Sequence, residues 1–172
     1  RQNTASGQTS IAIGNVATAN QTNAIALGHS AQATGGGAIA IGGGNNGAST
    51  NLDATAAIAS GLNALALGTS SSAISTNAVA IGFNANAEQS GATAIGGNAS
   101  VTGNNAAIAI GENVQASGNG ALAIGGPGDF GGTTIARGND SLAIGPGAQT
   151  ATGAIGATAF GPSANANTTY AI

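Results

Sequence analysis

The sequence predicts an all-β fold, a β-solenoid of about eleven coils of fourteen residues, and three observations carry that prediction. A pentapeptide of alternating apolar residues closed by Gly recurs ten times, its commonest spacing is fourteen, and the residues between copies hold a second, weaker alternation. Period-two alternation bounded by turn residues reads as short strands. Self-similarity at a short fixed period reads as a solenoid.

The pentapeptide is SIAIG at 10–14, AIALG at 24–28, AIAIG at 38–42, ALALG at 64–68 and AVAIG at 78–82. It continues as ATAIG at 92–96, AIAIG at 107–111, ALAIG at 121–125, SLAIG at 141–145 and ATAFG at 157–161, with TYAI at 169–172 as a truncated eleventh copy. Of the nine intervals between closing glycines, five are fourteen and the others are 26, 15, 20 and 16. Between the pentapeptides lies x-Ala-x-Ala, as at Ala17 and Ala19, Ala31 and Ala33, Ala85 and Ala87, and Ala164 and Ala166. A helix is excluded, because a Gly in every period and abundant Asn, Ser and Thr would penalise it repeatedly. Fourteen residues suit two short strands and two tight turns, with equivalent residues stacked about 4.8 Å apart in parallel ladders.

The two strands differ in character. The x-Ala-x-Ala strand alternates Ala with Thr18, Gln32, Asn86 or Asn165, so it has one small apolar face and one polar, solvated face. In AIAIG, Ile39 and Ile41 face one way and Ala38 and Ala40 the other, so both faces are apolar. A strand apolar on both faces is buried on both. The roll interior covers only one of them, and a continuous exposed apolar stripe exceeds what soluble monomers carry. The sequence therefore demands partner chains. Hydropathy alone leaves open which apolar row lines the interior.

Composition narrows function. The chain of 172 residues weighs 15.8 kDa and holds 31 Gly, four aromatics, no Cys, Met or Trp, and a charged fraction of 4%. Its only basic residues are Arg1 and Arg137, too few to neutralise a phosphate track, so nucleic acid and anionic lipid are excluded as partners. Without Cys there is no disulfide framework or thiolate site. No apolar run approaches the length of a membrane helix. The sequence begins and ends within the pattern and is expected to be one head domain, residues 1–172, cut from a longer protein.

The tandem units, [AS]-[VIL]-A-[ILF]-G-x-x-[AS]-x-A at fourteen-residue spacing over residues 10–172, resemble the heads of YadA-like trimeric autotransporter adhesins of Gram-negative bacteria. The resemblance implies a left-handed parallel β-roll assembled as a homotrimer. It further implies export to the cell surface and anchoring in the outer membrane by a stalk and barrel outside this sequence. The implied partners are host matrix proteins such as collagen, fibronectin or laminin, or host cells. It implies no enzyme activity, cofactor or metal. An ice-binding solenoid and a purely structural spacer are the alternatives.

The longer intervals locate two insertions, at about 43–56 and 126–139. The first holds Leu52 and Asp53. The second is expected to be one enlarged turn that carries Asp129, Phe130 and Arg137 outward as candidate partner contacts, and its TIARG is read as a false copy of the motif. The remaining candidates are scattered. His29, the only His, and Ser30 read as turn residues, His29 solvated. Glu88, Glu112, Asp53, Asp129 and Asp140 fall on different coils and make no catalytic pair. The Gly-rich stretches 35–47 and 118–126 have neither a following Lys nor a helix to bind phosphate. Phe160, at a motif Ile position, is expected in the core, and Phe83 at a turn.

Overall fold

The computed structural model describes residues 2–44, 56–103, 105–127 and 132–172, and among them it is all strand and turn, a parallel β-solenoid of about ten turns. The chain forms two compact units, residues 1–88 and 89–172. In the first, the pentapeptides give the strands Ile11–Ile13, Ile25–Leu27, Ile39–Ile41, Leu65–Leu67 and Val79–Ile81, which pair in parallel in that order as a motif sheet. The intervening stretches give Thr4–Ala5, Thr18–Ala19, Gln32–Ala33, Ile58–Ala59, Ser72–Ala73 and Asn86–Ala87, which pair likewise as a spacer sheet.

The second unit repeats the plan. Its motif sheet runs Thr93–Ile95, Ile108–Ile110, Leu122–Ile124, Leu142–Ile144 and Thr158–Phe160. Its spacer sheet runs Ser100–Val101, Gln115–Ala116, Ile135–Ala136, Gln149–Thr150 and Asn165–Ala166.

Alanine fills the interior. Ala17, Ala19, Ala24 and Ala26 are all fully buried, as are Ala38, Ala40, Ala92, Ala94, Ala107 and Ala109. The Ile and Leu of the motif strands point the other way and are only half-buried or exposed: Ile13 is 62% and Phe160 74% exposed. This settles the row the sequence left open, and it corrects the expectation for Phe160, which lies on the outer face and not in the core.

The turns explain the Gly and Asn columns. Gly68 closes its motif at φ +127°, and a Cβ there would stand 2.6 Å from the carbonyl oxygen of Gly82 in the next coil. Only Gly permits both the dihedral and the approach. In the other turn, Asn23, Asn63 and Asn77 sit at φ +58°, +54° and +56°, the left-handed region that Asn tolerates. These turns also stack by hydrogen bonds, the Asn77 N–H donating to the Leu62 carbonyl at 2.8 Å.

The insertions do not disturb register. Ile39 pairs with Leu65, and Leu122 with Leu142. Ile58 follows Gly42 by sixteen residues where Gln32 follows Gly28 by four, so the first excess lies wholly between motif Gly and spacer strand. The second is narrower than 126–139. Thr134, Ile135 and Ala136 are buried, Ile135–Ala136 is a regular spacer strand, and Leu142 follows Ile135 by seven residues, as Ile39 follows Gln32. TIARG is therefore no motif copy, but neither is it turn: it carries the spacer strand.

Candidate interaction surfaces

Three outward surfaces result. The first is the motif face, two rows of branched side chains standing between the buried Ala. In the first unit the rows are Ile11, Ile25, Ile39, Leu65, Val79 and Ile13, Leu27, Ile41, Leu67, Ile81. No polar side chain interrupts them there. In the second unit Thr93 and Thr158 enter the first row and Phe160 ends the second.

The second surface is the spacer face. Its outward residues are Thr4, Thr18, Gln32, Ile58, Ser72 and Asn86 in one unit, and Ser100, Gln115, Ile135, Gln149 and Asn165 in the other. Each of the two Ile interruptions, Ile58 and Ile135, stands on the first spacer strand after an insertion. The row lacks the regular Thr ladder of an ice-binding face, which disfavours that alternative.

The third surface is the turn between motif Gly and spacer strand. It carries Asn15, His29, Thr69 and Phe83 in the first unit, and Phe83 is 62% exposed. Both excesses fall between a motif Gly and the next spacer strand, Gly42 to Ile58 and Gly125 to Ile135, and so at this turn. His29 is half-buried and not fully solvated as expected. Its Nδ1 lies 3.2 Å from the hydroxyl of buried Ser30, and its Nε2 is enclosed without a hydrogen-bond partner among the described residues.

The candidate contacts of the second insertion separate. Asp129 and Phe130, like Leu52 and Asp53, lie outside the described residues. Arg137 sits beyond the far end of strand Ile135–Ala136, on the opposite turn of the coil from the insertion. Its N–H donates to the Thr150 hydroxyl at 3.0 Å and its Nη1 to Gln149 Oε1 at 3.1 Å, so the half-buried guanidinium rests on a neutral amide.

Sequence reasoning passed over the residues that anchor this insertion. Buried Thr134 accepts from the N–H groups of Gly126 and Gly147 at 3.2 and 3.1 Å, and its hydroxyl lies 2.9 and 2.8 Å from the carbonyls of Gly126 and Gly145. Thr150 accepts from the N–H groups of Arg137 and Gly138 and shares a 2.8 Å hydrogen bond with Ser141. The available signal was Thr at an inward position that is Ala in most spacer strands.

The three acidic residues among the described residues stay apart. Asn86 Nδ2 donates to Glu88 Oε1 at 2.8 Å, while Glu112 and Asp140 are exposed on other coils. Among the described residues no three His, Asp or Glu side chains approach one another closely enough to hold a metal ion.

A model of the YadA head domain repeat matches residues 5–31, 22–45, 59–85, 73–99, 87–107, 105–126, 130–148, 136–154 and 153–172, which together span nearly all of the chain. The chain belongs to the YadA head family. The matches 22–45 and 59–85 leave residues 46–58 unmatched, so the family repeat, like the strand register, skips the first insertion. The family is one of bacterial surface autotransporter adhesins without known catalysis, and a YadA head acts as an adhesin-like binding module. No curated protein matches the chain.

Proposed function

We propose that this YadA head is the adhesive tip of a trimeric surface protein, a left-handed β-roll that associates with two further copies through its motif face. The observation that carries this reading is the outward Ile and Leu rows. In each unit the five motif strands among the described residues present a largely apolar face that a monomer would leave to water, and burial of each Leu or Ile contributes about 1.5–3 kcal/mol when complete. With the motif faces turned to a common axis, the polar spacer faces and the insertion-bearing turns face outward, three times over.

The partners we assign are host matrix proteins such as collagen, fibronectin or laminin, or host cells. A nearly uncharged polar surface repeated on three chains suits shallow, avid contact. Attachment to the bacterium would come from a stalk and outer-membrane anchor elsewhere in the protein. Light scattering tests the assembly, and a monodisperse monomer at micromolar concentration refutes it. A binding screen against the three matrix proteins and whole cells tests adhesion, with a variant shortened within 128–133 reporting whether Asp129 and Phe130 contribute and Arg137→Ala whether Arg137 does.

A further inference from the structure

The outward rungs of the motif face in residues 89–172 are unequal. They read Thr93 and Ile95, Ile108 and Ile110, Leu122 and Ile124, Leu142 and Ile144, Thr158 and Phe160. The three inner rungs are nearly interchangeable. The last pairs a hydroxyl with the ring of Phe160, three-quarters exposed.

An apolar face made of like rungs about 4.8 Å apart has a register problem. When two such faces meet, a slip by one coil sets Leu and Ile against Leu and Ile again, at little cost. We propose that the Thr158 and Phe160 rung fixes the register in which copies of this chain pack, so that Phe160 of each copy meets Phe160 of the others. The inference rests on the association through the motif face proposed above.

The chemistry differs between the two registers. In the flush register the Phe160 rings share one layer and pack against one another, and the Thr158 hydroxyls stand close enough to hydrogen-bond across copies. A slip by one coil sets Thr158 against Leu142, which offers its hydroxyl no side-chain acceptor, and separates the rings. A polar residue in an apolar repeat specifies register in coiled coils by the same asymmetry.

The absence of native Cys makes cross-linking a clean readout. With Thr93→Ile in every chain, so that no second outward hydroxyl marks these rungs, a transposed variant, Leu142→Thr, Ile144→Phe, Thr158→Leu and Phe160→Ile, moves the marked rung back one coil and alters only outward positions. Native chains carrying Ile124→Cys or Ile110→Cys should cross-link 124 to 124 and not 124 to 110. Mixed with the transposed variant, native Ile124→Cys should prefer the variant's Ile110→Cys over its Ile124→Cys by about tenfold, the equilibrium weight of one buried hydroxyl left unpaired.

Between native and transposed chains, a 124-to-124 product as abundant as the 124-to-110 product overturns the inference. A second variant, Thr158→Leu with Phe160→Ile, erases the mark without moving it and should raise the 124-to-110 product among its own chains; an unchanged yield overturns the inference even if the transposed chain fails to fold. Native chains that give no cross-link at any of these positions refute the association itself, and the register inference with it.

Discussion

Replacing Ala66 by Leu puts the Ala interior to a direct test. Ala66 is fully buried at the centre of strand Leu65–Leu67, with Ala40 and Ala80 stacked on either side of it in the same sheet. The facing spacer strands present Ala57, Ala59, Ser71 and Ala73, all buried and none larger than a Ser. Leu adds three carbons to a layer built of single methyls. Overpacking of a close-packed core costs about 1–3 kcal/mol, and with no flexible long side chain nearby to yield, about 3 kcal/mol is expected here. For a chain of this length that lowers Tm by about 6–12 °C. The control is Ser72→Leu, outward and half-exposed on the spacer face, which should change stability by about 0.5 kcal/mol or less. Thermal melts followed by circular dichroism at one protein concentration give both values. Equal melting temperatures for the two variants would refute the assignment of Ala to the inside.

Other substitutions test the turns and the insertion. Gly68→Ala forces a side chain into φ +127° and to 2.6 Å from a backbone oxygen, and should cost about 1–3 kcal/mol; Gly97→Ala, with open space around the added methyl, should be close to neutral in the same melts. Asn77→Ala, at φ +56°, should lose about 1–2 kcal/mol, and Asn77→Gly should retain wild-type stability. Thr134→Val leaves the Gly126 N–H without its acceptor and the Gly147 N–H with the Gly126 carbonyl alone, and should cost about 1–3 kcal/mol, largely recovered by Thr134→Ser. Hydrogen exchange should then speed up at the Gly126, Gly145 and Gly147 amides before the rest of the second unit.

Much of this architecture is written in the period. The pentapeptides place the three-residue strands, the x-Ala-x-Ala stretches the two-residue strands, and the recurring Gly and Asn the two turns. Hydropathy could not orient AIAIG, because Ile and Ala are both apolar. The deciding factor is thickness: a coil closed by two tight turns leaves room between its sheets for little more than Ala, with nothing fully buried larger than Val or Thr among the described residues, so Ala40 goes in and Ile39 and Ile41 go out. Phe160 was misplaced by the same ambiguity. TIARG is no motif copy, as expected, yet it reads as part of an enlarged turn until its seven-residue distance to Leu142, the mark of spacer register, is counted. The surfaces were less legible than the fold. Nothing in composition marks Thr134 as an anchor, and Arg137 falls on the far turn because the strand between it and the insertion was not counted.

The turn after the motif Gly has a use beyond this protein. It admits twelve extra residues in one coil and six in another while the strands before and after remain paired in register. Each coil repeats that turn, so Gly82 or Gly111 offers an equivalent port into which a foreign loop can be grafted. Within each unit a peptide displayed there would be held at a height set by the coil number, which makes each stack of coils a ruled scaffold for spacing epitopes in steps of about 4.8 Å.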